Sequence, residues 1–210
     1  MQAAHQLDIQ QATAERFEDL AALFRTGLAR VCWDMEPRQT AAEDAACRRR
    51  WRVEGISRKD GRRQAFLDLL ARAHMPGLLA YRKGQAVGWV SIGPRSDYPR
   101  IERSRALPPL DDLAVWAIPC VYVHPAERGQ GVAVALLRAA VEHAGRCGAP
   151  AVEGYPRDAT EPIPAEEAFY GTVAMFTRAG FAVVRPPPPG LPETWAPRYT
   201  MRAPCPPARR

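Results

Sequence analysis

A chain of 210 residues with a formal net charge of +6, 47% hydrophobic and 25% charged residues is long enough for one well-buried domain and too short for two ordinary ones. No stretch approaches the roughly 18 uncharged apolar residues of a spanning helix, and Met1-Gln2-Ala3-Ala4-His5-Gln6 has no basic start leading into an apolar run, so a cytoplasmic protein without a membrane segment is expected. Cys32, Cys47, Cys120, Cys147 and Cys205 are odd in number and scattered, with no C-x-x-C pair and no histidine at ligand spacing, which points to reduced thiols and no metal centre.

After an extended opening over 1–13, Thr13 can cap a helix over 14–30, with Phe17, Leu20, Leu23, Phe24 and Leu28 on one face. Val31-Cys32-Trp33-Asp34-Met35-Glu36-Pro37 breaks that pattern. A tryptophan and two carboxylates in such a turn either anchor the fold or line a pocket, which makes Trp33 and Glu36 candidate substrate contacts. Helices over 41–51 and 62–73 flank Gly55-Ile56-Ser57, and Pro76-Gly77 closes the region. Arg48, Arg49, Arg50, Arg52, Arg58, Lys59, Arg62 and Arg63 cluster here. With no nucleic-acid motif beside them they read as a solvated face or an acidic-ligand rim rather than a nucleic-acid surface. Segments 78–82 and 87–92, joined by Lys83-Gly84-Gln85, read as a β-hairpin. From 96 to 113, Pro99, Pro108, Pro109 and Asp111-Asp112 interrupt any period, giving a long loop that is a candidate substrate lid.

The chain is organised around 115–144. Val115-Trp116-Ala117-Ile118-Pro119-Cys120-Val121-Tyr122-Val123 is apolar on both faces, as a doubly buried strand requires. Pro119 cannot donate a ladder hydrogen bond, so this strand should bulge or part from a neighbour there, leaving room for a ligand. Next come His124-Pro125-Ala126-Glu127 and then Arg128-Gly129-Gln130-Gly131-Val132-Ala133, which opens an amphipathic helix bearing Val134, Leu136, Leu137, Val141 and Ala144. Gly129 and Gly131 let backbone approach a ligand, and the first helical N–H groups lack acceptors, so the turn either holds an anion or only reverses the chain tightly. It is not a P-loop, because no lysine or hydroxyl follows Gly131-Val132-Ala133. It is not the dinucleotide fingerprint either, because Val134 stands where the third small residue belongs.

Segment 149–156 is the next strand, expected to run parallel to 115–123 across the intervening helix, with Glu153 conspicuous inside it. A helix over 168–179 ends at Gly180, strands follow at 181–184 and 199–202, and Pro186 to Pro189 form a stiff connector.

Arg128-Gly129-Gln130-Gly131-Val132-Ala133 resembles the R/Q-x-x-G-x-G/A signature of the GNAT N-acetyltransferase superfamily, and Val121-Tyr122-Val123-His124-Pro125 resembles the strand end before it. The element order is similar from 14 to 202, leaving 1–13 as an extension and 203–210 as a tail. Met175-Phe176-Thr177-Arg178-Ala179-Gly180-Phe181 looks like the family's Y-x-x-x-G-F element. Phe176 stands where many members carry a tyrosine that can protonate the departing thiolate. Pro76-Gly77-Leu78-Leu79-Ala80-Tyr81, Gly88-Trp89-Val90-Ser91 and Glu153-Gly154-Tyr155-Pro156 resemble segments of a bacterial GNAT group.

The resemblance implies an α/β GNAT acyl-CoA N-acyltransferase fold, a mixed central sheet flanked by helices with an extended helical N-terminal region. It implies acetyl-CoA as the acyl-donor cosubstrate. The pyrophosphate would lie on Arg128, Gly129, Gln130, Gly131, Val132 and Ala133, the pantetheine arm along Val121, Tyr122 and Val123, and Phe176 beside the thiol. The implied reaction is direct acetyl transfer to a primary amine of a small molecule or peptide, with no metal, membrane or nucleic acid; a homodimer stays open. Glu153 is the candidate general base and Tyr155 a further candidate substrate contact. A hydrogen-bonded, structural Glu153 is the alternative, as is Cys120 acting as an acylated nucleophile or merely packing. Against an enzyme stands a non-catalytic acyl-CoA-binding or partner-binding domain, to which Phe176 gives weight.

Overall fold

The computed structural model describes residues 7–25, 29–71, 75–158, 168–192, 195 and 197–207. The opening segment, expected as an extension, contributes a strand: β1 (Asp8–Gln11) pairs antiparallel with β2 (Gly77–Arg82). Lys83 and Gly84, with φ of 50° and 76°, then turn the chain tightly into β3 (Gln85–Ser91), the hairpin read from the sequence. Between β1 and β2 lie α1 (Phe17–Leu23), α2 (Ala29–Cys32), α3 (Ala41–Val53) and α4 (Arg58–Leu70). The single helix expected over 14–30 is thus a short 3-10 turn, Ala14–Arg16, followed by α1, with α2 separate. Leu28 and Ala73, assigned to helices from sequence, lie outside the described residues.

β4 (Gly93–Pro94) and α5 (Pro99–Glu102) precede the long central segment, which is two strands in two sheets: β5 (Trp116–Ile118) and β6 (Val121–Val123). After β6 come α6 (Val132–Arg146), β7 (Ala151–Gly154), a 3-10 turn at Ala168–Tyr170, α7 (Val173–Arg178), β8 (Ala182–Arg185) and β9 (Thr200–Pro204). One sheet has the order β1-β2-β3-β6 and the other β4-β5-β7-β9-β8. β5 and β7 are parallel, as one intervening helix requires; the other pairings are antiparallel.

Each sheet face is covered because the strands alternate what they bury. Leu78, Ala80 and Val90 join Val132, Leu136, Leu137 and Ala140 of α6 in one cluster. Leu79, Tyr81 and Trp89 join Phe17, Leu20, Phe24, Trp33 and Phe66 on the opposite face. α6 approaches closely because Gly88 lacks a side chain: a Cβ there would stand 2.8 Å from Val132 and 2.9 Å from Leu136. The arginine cluster is largely engaged within the fold. Buried Asp44 accepts Arg62 at 2.8 Å and pairs with Arg48 at 3.2 Å and Arg58 at 3.9 Å, while Arg63 meets Glu18 at 2.9 Å and covers the Phe17 ring. The loop expected as a lid is strapped to the second sheet instead. Asp111 binds Arg202 at 2.6 Å, and Arg185 donates to the carbonyls of Pro108 and Pro109. No described helix is long and apolar enough to cross a membrane.

Candidate active site

Pro119 decides where the sheet opens. Ile118, opposite Gly154, is the last residue of β5 to pair with β7, and by Val121 the chain has joined β3. Ser91 N–H donates to the Cys120 carbonyl and His124 N–H to the Val87 carbonyl, both at 2.9 Å. Residues 120, 122 and 124 therefore address β3. The period of two turns the N–H and C=O groups of Val121 and Val123 toward the edge that β7 has left.

That free edge runs into the glycine turn. Gly129 and Gly131 have φ of 75° and 80°, and a Cβ on either would meet nothing within 4 Å, so the space over the turn is open. Among the described residues, no backbone acceptor takes the N–H groups of 129–134; the first bond of α6 runs from Ala135 N–H to the Gly131 carbonyl at 3.0 Å. These amides sit at the positive end of a 15-residue helix. Side chains brace the turn: Arg82 bonds Glu127 and Gln130, Gln130 donates to the Ala126 carbonyl at 3.2 Å, and Arg128 Nε to the Val123 carbonyl at 3.2 Å. Of the sequence candidates, Val121, Tyr122, Val123, Arg128, Gly129, Gln130, Gly131, Val132 and Ala133 form this continuous edge and turn. The fit to an extended ligand with phosphates at one end rests on backbone groups. Val132, whose side chain is buried, offers only its amide.

The opposite wall of the opening was not foreseen. The turn Ala168–Tyr170 packs against β6, and Gly171, with φ of 73°, separates it from α7, where the sequence suggested one unbroken helix. The Tyr170 hydroxyl makes no hydrogen bond among the described residues. Burial pushes its pKa up, Arg198 opposes, and Glu36 with the Cys120 and Cys32 thiols adds to the rise, so these groups share the space. The Arg198 guanidinium lies 4.4 Å from the centroid of the Tyr170 ring. Tyr199 N–H bonds the Pro156 carbonyl at 2.9 Å, which holds this segment beside the exit of β7.

Glu153 does not have the surroundings of a general base. It is 1% exposed. Its Oε1 accepts Arg202 Nη2 at 2.7 Å and Nε at 3.2 Å; its Oε2 accepts Arg95 Nη1 at 3.1 Å and the Tyr155 hydroxyl at 2.9 Å. All four lone-pair directions are taken, leaving none to receive a proton. The base expectation for Glu153 gives way to a structural one, and Tyr155, sealed in the same network, is not a substrate contact. Glu153 also lines an open cleft of about 580 Å³ with Asp111, Trp116 and Cys147, at the starts of β5 and β7 and so away from the split.

Trp33 is likewise an anchor, 2% exposed and packed on Phe17, Phe24 and Phe66. Phe176 is wholly buried against Gly154 and Phe181, so it supports the opening from behind rather than lining it. Burial pushes the pKa of the Cys120 thiol well up, and Asp34 and Cys32 add to this, which disfavours the thiolate that a covalent route would need. Glu36 stays at the rim with a half-exposed carboxylate, 3.6 Å from Arg100. Its position is set by a strained turn, Trp33 and Asp34 both having positive φ (50° and 55°). Asp34 accepts Ser91 at 2.7 Å and Arg38 at 3.1 Å, and Arg38 reaches on to the Pro76 carbonyl and Tyr98.

The sheet thus parts at a proline, and an amide-lined turn lies at one end of the freed edge. The model of the Acetyltransferase (GNAT) family matches residues 28–162, and the chain belongs to that family of acetyltransferases. Similar solved structures include AAC(6′)-Ib in complex with paromomycin and acetyl-CoA, 13% identical with a TM-score of 0.56, covering 95% of this chain and 93% of that one. Salmonella typhimurium yncA, a putative acetyltransferase with its cofactor acetyl-CoA, is 16% identical with a TM-score of 0.54 over 95% and 94%. A histone acetyltransferase HPA2 and related acetyltransferase from Corynebacterium glutamicum is 16% identical with a TM-score of 0.54 over 95% and 96%. These likenesses are of fold. A search of curated proteins finds no match.

Proposed function

We propose that this protein moves the acetyl group of acetyl-CoA to a primary amine by direct attack. The observation that carries the reading is the line of backbone groups left free by the sheet, from Val121 and the Val123 N–H to the amides of 129–134, with the Val123 carbonyl held by Arg128. The family, and the acetyl-CoA held by structures of the same fold, support it. The amides of 129–134 hold the pyrophosphate and the β6 edge pairs with the pantetheine amides. The Val121 N–H faces the thioester oxygen, where negative charge develops. Glu36 draws the ammonium to the rim and takes its proton, so that the neutral amine forms the C–N bond as the C–S bond breaks; the second proton that the nitrogen sheds on becoming an amide passes to water, from which Tyr170 is reprotonated after it has served the sulfur. Tyr170 supplies the proton to the departing sulfur from the same opening, in place of the hydroxyl that Phe176 lacks.

The test is release of free coenzyme A when amines are added with acetyl-CoA. Tyr170→Phe should lower kcat by about 100-fold while leaving acetyl-CoA binding by calorimetry unchanged. An unchanged kcat would remove Tyr170 from the reaction. Tight acetyl-CoA binding without release for any amine would make the protein a non-catalytic acyl-CoA-binding domain.

A further inference from the structure

We infer that the amine acceptor carries a carboxylate and that Arg198 receives it. The inference rests on the acetyl-transfer reading for the word acceptor, but the anion site stands on its own geometry. Several buried and half-buried arginines are answered by carboxylates: Arg38 by Asp34, Arg62 by Asp44, Arg82 by Glu127, Arg95 by Glu102 and Glu153, Arg202 by Asp111 and Glu153; Arg16 and Arg185 are held by uncharged acceptors. Arg198 alone of this group, among the described residues, has neither an ion pair nor a hydrogen bond, although it is half-buried. Its one contact of this kind is the face of Tyr170, 4.4 Å from the ring centroid.

A partly desolvated guanidinium without a counter-charge is costly, and its planar fork of N–H donors matches a carboxylate with two parallel bonds. The contact with the Tyr170 ring leaves the N–H groups of the fork without a hydrogen-bond partner among the described residues. Position gives the site its meaning. The turn bearing Tyr170 packs against β6, and the Tyr199 N–H to Pro156 carbonyl bond brings the segment of Arg198 beside the exit of β7, so that Arg198 and Tyr170 meet next to the strand that borders the opening. Glu36, of opposite sign, is near enough to act electrostatically on the same hydroxyl. A ligand with an ammonium at Glu36 and a carboxylate at Arg198 spans the site with both charges answered, which describes an amino acid or a compound built like one. A neutral or polycationic amine would leave the half-buried Arg198 without a counter-charge.

The test uses products, so that binding is read apart from turnover. The coenzyme A-loaded protein is titrated by calorimetry with N-acetylglycine, N-acetylalanine and N-acetylphenylalanine, and with the three corresponding carboxamides. Carboxylates should bind at least tenfold tighter than their amides. Arg198→Gln should bring the pairs to parity, and Arg198→Lys, which keeps the charge and loses the fork, should retain part of the preference; melting temperatures report that the variants fold. Equal binding of the pairs, no binding by either form, or a preference that survives Arg198→Gln overturns the inference. Coenzyme A release is measured in parallel with the free amino acids and with uncharged amines. Release with uncharged amines alone overturns the carboxylate and leaves acetyl transfer standing. A carboxylate preference with no release for any amine overturns transfer and leaves the anion site.

Discussion

A Cβ on Gly154 would overlap the ring of Phe176, its Cζ standing 2.7 Å away, so that β7 and α7 meet only because one of the two has no side chain. Phe176 has no exposed surface, and its ring packs edge-on against Phe181 at 5.0 Å between centroids. Gly154→Ala should therefore cost about 1–3 kcal/mol through overpacking. Phe176→Tyr should be destabilising by a similar amount, about 1–3 kcal/mol, because its hydroxyl would be buried without a partner. Denaturant unfolding checks both. A Phe176→Tyr protein as stable as the parent would show that the ring has room this packing does not grant.

Gly131→Asp places a carboxylate at the mouth of the amide-lined turn. The position has φ of 80°, and nothing lies within 4 Å of a Cβ, so the fold should survive with strain of about 1 kcal/mol. Acetyl-CoA affinity measured by calorimetry should fall by at least tenfold, through charge repulsion at the phosphates. Gly131→Asn, which shares the backbone strain without the charge, should keep most of it. Equal affinities for the Asp variant and the parent would move the phosphate site elsewhere.

Glu153→Gln tests the assignment of that carboxylate to structure. Removing its charge leaves the Arg95 and Arg202 guanidinium groups without their shared buried partner, at a cost of about 3–5 kcal/mol. At a temperature where the variant is folded, the pH dependence of turnover should keep its form. If one ionisation vanished from the profile instead, Glu153 would return as the base.

Asp44 gives the fold a signature in acid. Burial alone would push its carboxyl up. The hydrogen bond from Arg62 and the charges of Arg62, Arg48 and Arg58 outweigh this and hold it below the usual carboxylate range. A lowered folded pKa means that the unfolded chain takes up the proton first, so the stabilisation is complete above about pH 4 and is lost as pH falls through the lower folded value. Asp44→Asn should be less stable than the parent by about 3 kcal/mol near pH 7. The two stabilities should converge as the pH is taken below 4. A gap that stays constant in acid would separate this stability from the ion cluster.

The hairpin turn at Lys83-Gly84, the opening at Pro119 and the amide-lined turn at Gly129 and Gly131 were legible in the sequence. Each follows from what one residue's backbone can or cannot do: a positive φ, or a missing N–H. The parallel pairing of 116–118 with 151–154 was legible too, since one helix between two strands admits little else. The company of the side chains was not. Glu153 reads as exceptional in an apolar strand, yet its meaning depends on Arg95 and Arg202, 58 and 49 residues away, which the folded sheet brings to its two oxygens. Tyr170 and Arg198 are separated by a helix and a strand and carry no motif. They meet because the bond from Tyr199 to Pro156 returns the chain to the exit of β7. Local covalent geometry determined where backbone would be left free. Only the packing of distant segments, which sets which charges are buried and which of those are answered, decided which side chains stand in the opening.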